Sequence, residues 1–343
     1  MKESNSSFYQ IGSHNHPCCN VCGELGKAAY EGLEDNLFGA PGSWNLSKCC
    51  NCGLVWLNPM PNQDEIWKAY DCYYTHNSND GRQSLFIRII NKFAMSYIDR
   101  RYGSVEKISI ADHFLSRVIY LMPGIRALAD NRVCELTCTP GGKLLEIGCG
   151  SGKTLKRLQT LGWEVEGIDF DKKAVEAAVQ TGLKVSEGEL CTMEYPDNFF
   201  DMVISKHLIE HVSDPEQLLR ESYRILKPKG KMVIYTPNSD SFGQRYYKRE
   251  WRGFEPPRHL FVFNLSSLKM LVENIGFSDV ESKSTFAGAT ILMDSYDLSK
   301  KRNSSNSSYV RSLQLFLLGY VEWFIVKLNK ARGEGMRIEA TKN

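Results

Sequence analysis

Between Gly141 and about Ser282, short apolar runs alternate with helix-like patterns, and this alternation predicts a parallel, doubly wound α/β sheet. Lys143 to Ile147 reads as a buried strand. The glycines from Gly148 to Gly152 then lead into a helix that Gly162 stops. Trp163 to Ile168 is a second strand, closing on Asp169. Asp171 caps the following helix, which runs to Gln180 with Gly182 as its stop. Phe200 to Ser205 is another strand. Asp214, Pro215 and Gln217 supply an N-cap, a first-turn proline and a capping-box partner for a helix ending before Pro228 and Gly230. Met232 to Thr236 is the next strand.

The flanks have a different character. Residues 1–62 are rich in Cys, Gly, Asn and Pro, with few periodic apolar runs. Residues 63–139 carry helical spacings through Leu85–Ile90 and Phe114–Ile119. Beyond Ser282 come a polar stretch (Asn303–Ser308), an apolar segment from Tyr309 to Leu328, and an ending from Met336 to Lys342. Arg311, Glu322 and Lys327 interrupt the apolar segment, which argues against a membrane-spanning helix. It reads either as a core helix before the last strand or as an amphipathic helix lying on a membrane. The expected units are 1–62, a helical connector or lid at 63–139, and an α/β domain at 140–343.

The 343 residues suit two domains with an accessory piece, and 42% hydrophobic with 24% charged residues is globular composition. Lys+Arg 42 against Asp+Glu 40 leaves +2, so bulk charge does not draw this chain to nucleic acid. There are eleven cysteines, yet Met1 to His16 is polar and lacks the apolar core of a signal peptide. Reduced cysteines and a cytoplasmic location are therefore expected. Cys19-x-x-Cys22 and Cys49-x-x-Cys52 are each followed by glycine (Gly23, Gly53), the pattern of two knuckles closing one tetrahedral Zn²⁺ site. Cys18 and Cys50 offer other registers, but only this one gives two CxxCG units. Four thiolates leave no open position, so the zinc would be structural and 1–62 a zinc ribbon. Lys27 and Lys48 are the only Lys or Arg residues between Gly12 and Pro59, and no nucleic-acid partner is expected.

Glu146-Ile-Gly148-Cys-Gly150-Ser-Gly152 follows a strand and opens a helix, where glycines let a ligand approach the backbone. The acidic Glu146 would repel a pyrophosphate and welcome a cationic sulfonium and amino group. Asp169, at the end of the second strand, is placed to grip two ribose hydroxyls. With Gly167-Ile-Asp169, Phe200-Asp-Met-Val, Leu208-Ile-Glu210-His211-Val-Ser-Asp-Pro215, Leu226-Lys-Pro-Lys-Gly230 and Thr236-Pro-Asn238, the sequence resembles class I S-adenosylmethionine-dependent methyltransferases. Cys49–Pro59, Ala69-Tyr70 and Tyr73-Tyr74 resemble the zinc-binding N-terminal region of a subgroup containing sugar and cell-surface polysaccharide methyltransferases. The resemblance implies a Rossmann-like seven-stranded sheet and S-adenosyl-L-methionine as cofactor. It places Glu146, Gly148 and Gly150 at the methionine end, Asp169 on the ribose, and Glu189 and Leu190 at the adenine. Ser205-Lys206-His207 would lie beneath the methyl group, although Lys206 departs from the smaller or aromatic residue expected there.

Residues Gln244 to His259, which mix tyrosine, tryptophan and arginine, are expected to form the acceptor lid. Aromatic rings stack on sugars and arginines take phosphates, which suggests a nucleotide-linked or lipid-linked sugar acceptor. Tyr70, Tyr73 and Tyr74 would cover the same cleft or pack between units. His259 is the expected catalytic base, with His207 and His211 as competitors. Two rival readings stand: a methyltransferase for a quinone-like or lipid acceptor, and a zinc-ribbon binding protein without catalysis.

Overall fold

The computed structural model describes residues 10–70, 85–103, 117, 119, 122–137, 139–285, 289–300 and 308–343. Tyr73, Tyr74, Phe114 and the polar stretch from Asn303 to Ser307 lie outside the described residues. The chain begins with β1 (Ser13–His14), β2 (Gly26–Leu33), β3 (Trp44–Cys49), β4 (Val55–Leu57) and β5 (Met60–Pro61). After a 3-10 turn at Ile66–Ala69 come α1 (Leu85–Tyr102) and α2 (Pro123–Arg132). The α/β succession follows as β6 (Lys143–Ile147), α3 (Lys153–Thr160), β7 (Glu164–Asp169), α4 (Lys172–Gln180), β8 (Lys184–Glu187), β9 (Phe200–Lys206), α5 (Pro215–Ile225) and β10 (Leu226–Pro237). The last elements are α6 (Phe242–Tyr247), β11 (Phe261–Val262), α7 (Leu265–Ile275), β12 (Ser278–Thr285), α8 (Ala289–Ser299), α9 (Ser308–Leu328) and β13 (Gly335–Thr341).

Seven strands form one sheet in the order β12-β13-β10-β9-β6-β7-β8. The five strands from β6 to β10 run parallel, and β13 inserts antiparallel between β10 and β12. The doubly wound α/β sheet is thus present, with strand edges close to those read from the apolar runs. The caps behave as expected: Asp171 accepts from the N–H of Lys173 and Asp214 from that of Gln217. One boundary differs. β10 starts at Leu226, and its pairing with β9 then jumps to Lys231, because the Lys227–Gly230 turn breaks the ladder.

A second sheet has the order β11-β4-β3-β2. Three of its strands come from the cysteine-rich N-terminus, while β11 comes from beyond β10, pairing Phe261 with Trp56 and Val262 with Val55. The segment expected as a lid explains this joint. Trp251, Phe254 and Arg258 are almost fully buried, so the residues before β11 pack between the ribbon and the α/β sheet and do not roof the cleft. Arg258 reaches Asp35 Oδ2 and Glu255 Oε1, each at 2.9 Å, and donates to the Ala69 carbonyl. Gln244 meets the Tyr30 hydroxyl, and Arg249 meets the Gly32 carbonyl. Buried packing of Trp251, Phe254 and Arg258 accounts for part of the composition that suggested a sugar site, while Arg245, Tyr246 and Arg249 are exposed outside the cleft lining.

No helix among the described residues is long and apolar enough to cross a membrane. In α9, Leu317, Val321, Phe324 and Leu328 are exposed at spacings of three and four, whereas Glu322 is buried. This helix therefore presents an apolar stripe outward and is only partly a core helix.

Removing the Arg258 side chain would leave buried Asp35 without its counter-charge and Glu255 with Arg252 as its remaining guanidinium, so Arg258→Ala is expected to cost about 3–5 kcal/mol of stability. Urea unfolding of wild type and variant checks this; equal midpoints would show that the joint does not depend on the ion pairs.

Candidate active site and metal cluster

The carboxyl ends of β6 and β7 open into a cleft of about 290 Å³. This is where ligands bind to open α/β sheets, because the loops there diverge to opposite faces. Gly148, Asp169 and Phe170 form one side, Glu189 and Leu190 the far end, and Leu208 and His211 the side below β9. The roof comes from the N-terminal unit, through Pro61, Gln63, Ile66, Trp67 and Tyr70.

The glycine loop is built for a close approach. Gly150 has φ +53°, and a Cβ placed on it would meet nothing within 4 Å, so the space beside it is open. Its N–H donates to Asp169 Oδ2 at 2.7 Å, while the Asp171 N–H holds Oδ1 at 2.9 Å. Each carboxylate oxygen keeps a lone pair for a further donor, which fits two ribose hydroxyls. Glu146 is buried, and its Oε2 has no hydrogen-bond partner. Burial raises its pKa to about 7, against the opposing charge of Lys206. A buried carboxylate beside an open glycine loop fits a cationic amino group. Glu189 is exposed at the rim, and Leu190 is buried beneath it. These residues fit S-adenosylmethionine.

Lys206 is absent from the cleft lining. Its Nζ donates to the Asn131 carbonyl and sits 5.5 Å above the Tyr235 ring. Of the three histidines, the structure brings only His211 to the cleft wall. Its Nδ1 lies 3.1 Å from the Tyr70 hydroxyl and 3.0 Å from the Arg258 carbonyl. His259 stands behind it, ring centroids 4.7 Å apart and nearly perpendicular. Burial lowers the pKa of His259 to about 4, and its Nδ1 contacts the Gly253 carbonyl at 2.7 Å. The choice of His259 as base rested on the ordinary imidazole pKa near 6.5; a buried, neutral ring outside the cleft lining takes a proton less readily. His207 is half exposed and 3.5 Å from Glu210 Oε1. Ile66, Trp67 and Phe170 were not singled out from the sequence, where isolated apolar residues in irregular segments carry no periodic signal.

The four cysteines converge as the spacing implies. Cys19 and Cys52 Sγ are 3.4 Å apart, as are Cys22 and Cys49, and all four lie within 4.8 Å of one another. The N–H groups of Val21 and Cys52 point at Cys19 and Cys49 sulfur, and Gly23 and Gly53 take the positive φ of the knuckle turns. Cys18 and Cys50 are exposed, which fixes the register. Burial raises the Cys19 pKa to about 11. Four crowded thiols with this geometry can hold one tetrahedral ion.

Residues 120–282 match the family model of a methyltransferase domain. The match covers just under half of the chain. A probable S-adenosylmethionine-dependent methyltransferase of Mycolicibacterium smegmatis is 29% identical over 154 residues, covering 43% of this chain and 57% of the relative. Phosphoethanolamine N-methyltransferase 3 of Arabidopsis thaliana is 40% identical over 156 residues, 42% of this chain and 30% of the relative. A ubiquinone biosynthesis O-methyltransferase of Bradyrhizobium diazoefficiens is 31% identical over 166 residues, 43% of this chain and 66% of the relative. The chain thus spans less than two thirds of the length of each.

In the methyltransferase domain, Asp169→Ala is expected to weaken S-adenosylhomocysteine binding by about 1–3 kcal/mol, the loss from leaving ligand hydroxyls unpaired. Titration calorimetry measures it; unchanged affinity would place the ribose elsewhere.

Proposed function

We propose that the protein is an S-adenosylmethionine-dependent methyltransferase acting on a sugar or glycan precursor, with one structural Zn²⁺ in its ribbon. The observation that carries the reading is Asp169 in the cleft wall, held by the N–H of Gly150 whose flank is open, with the buried Glu146, one oxygen unpartnered, behind the lining. When bound, S-adenosylmethionine supplies a methyl group already activated on a sulfonium. The chain's own task is then alignment and exclusion of water. Asp169 holds the ribose, Glu146 the amino end and Leu190 the adenine, while Ile66, Trp67 and Tyr70 close the cleft from the ribbon side. An oxygen or carbon acceptor must also lose a proton. His211 faces the cleft and is the group assigned to that end, with its ring held by the Arg258 carbonyl. His259 packs against it as a positioning residue.

The sugar assignment rests on the sequence resemblance of Cys49–Tyr70 to a sugar and polysaccharide subgroup. The exposed stripe of α9 supports a lipid-linked form of the acceptor. A second reading, a quinone-like or other small acceptor, is favoured by the apolar roof and by the names of the relatives. A turnover screen of nucleotide sugars, lipid-linked sugars, catechols and phosphoethanolamine decides between them. Methylation confined to the non-sugar acceptors would overturn the sugar assignment.

With an acceptor in hand, His211→Ala is expected to lower turnover about 10²–10⁴-fold while S-adenosylhomocysteine affinity holds. Near-full turnover would remove His211 from the chemistry. Metal analysis of the purified protein should find one zinc per chain, lost in Cys49→Ser; zinc-free wild type would remove the ribbon metal.

A further inference from the structure

We propose that Glu210, His211 and His259 form a second metal site, one for a divalent cation at the acceptor end of the cleft. One carboxylate oxygen of Glu210 and one ring nitrogen from each histidine lie within 4.8 Å of one another. Nitrogen and oxygen ligands about 2.0–2.2 Å from an ion stand roughly 3–4 Å apart, so the three groups need to draw together by about 1 Å.

Both rings have a backbone carbonyl at Nδ1, Gly253 for His259 and Arg258 for His211. An imidazole whose Nδ1–H donates to a carbonyl turns the lone pair of Nε2 outward, which is how metal-binding histidines are oriented. Glu210 supplies the independent sign of a missing partner. It is 1% exposed, and its Oε2 accepts from the Thr236 hydroxyl, yet Oε1 has no hydrogen-bond partner. The nearby His207 Nδ1, at 3.5 Å, reaches ion-pair distance without hydrogen-bond geometry. A buried carboxylate oxygen met only by a half-exposed imidazole at 3.5 Å keeps part of its desolvation cost, and a cation answers that cost. Glu255 does not compete for this role. Its Oε2 is 3.7 Å from His259 Nε2, but Arg252 and Arg258 already hold its carboxylate.

Two imidazoles and one carboxylate suit borderline ions such as Mn²⁺, Co²⁺ or Zn²⁺ better than Mg²⁺ or Ca²⁺. His211 lines the cleft and Glu210 and His259 are buried behind it, so an ion held by the three would stand at the wall of the space where an acceptor would lie. On the methyltransferase reading, such an ion binds an acceptor that offers two neighbouring oxygens, as in a vicinal diol or hydroxy-ketone. It would lower the pKa of the oxygen to be methylated, so that the proton passes to solvent and the oxygen takes the methyl group as S-adenosylhomocysteine leaves. His211→Ala would lower turnover whether the ring takes the proton or holds the ion, so binding has to be read directly.

The experiment uses the full chain, dialysed against citrate to clear the histidine site while the four-cysteine ribbon keeps its zinc. Mn²⁺, which thiolates bind poorly, is titrated with S-adenosylhomocysteine present, and free Mn²⁺ is followed by electron paramagnetic resonance. Wild type is expected to take up one Mn²⁺ per chain. Glu210→Gln should weaken uptake at least about tenfold, the lower end for losing a metal-site group, and Lys231→Ala, at an exposed ion pair with Glu339 outside the cleft lining, should leave it unchanged. If Glu210→Gln does not fold, His211→Asn on the partly exposed ring carries the same test. Wild type that binds S-adenosylhomocysteine but no Mn²⁺, or a Glu210→Gln protein that binds Mn²⁺ like wild type, overturns the proposal. Mn²⁺ uptake without S-adenosylhomocysteine binding would support the metal site and count instead against the methyltransferase reading.

Discussion

A guanidinium with no water around it must be met by charge from the protein, and Arg258 meets that demand from two directions. Asp35 comes from the ribbon and Glu255 from the segment before β11, both within 2.9 Å. Its third contact, the Ala69 carbonyl, lies next to Tyr70 in the cleft roof, and its own carbonyl holds the His211 ring. One buried residue, through its side chain and its carbonyl, thereby ties the ribbon, the roof and the cleft histidine together. Asp35 is in turn tied down by the N–H groups of Leu37, Phe38 and Ala40, so the anion is presented by a rigid turn. The penalty for burying such charges is offset only when the geometry is this complete.

The parallel sheet was legible because buried parallel strands are near-continuous apolar runs with glycine and capping residues between them. Lys143–Ile147 and Glu164–Asp169 announce themselves in this way, and so do the caps Asp171 and Asp214. The paired CxxCG units converge because their signal is local spacing. The segment Gln244–His259 was misread for an equally physical reason. Tyrosine, tryptophan and arginine serve a solvent-facing lid and a buried joint equally well, and the partners that decide, Tyr30 and Asp35, are far away in sequence. The same remoteness hid the burial of His259, and with it the lowering of its pKa.

The two sides of the cleft rest on different kinds of structure. The cofactor side hangs from strand ends in the middle of a seven-stranded sheet, where backbone hydrogen bonds hold Gly150 and Asp169 in place. The roof is a 3-10 turn and irregular chain, carried by side-chain contacts across the ribbon joint. Loops on a rigid scaffold are where recognition varies at little cost to folding. Trp67 and Phe170 are both more than half exposed at the cleft, and on the proposed reading they are where acceptor choice would be changed.

The two-residue strand β11 has a consequence for synthesis. Among the described residues, the edge of β4 is covered by Leu260, Phe261 and Val262, which leave the ribosome after the five parallel strands have been made. Until then the ribbon is a three-stranded sheet with an unpaired apolar edge, the arrangement most prone to pairing with the wrong chain. An ion bound early by Cys19, Cys22, Cys49 and Cys52 would hold that nascent sheet in register while it waits. In this protein the ribbon metal would then matter first as a guardian of the growing chain.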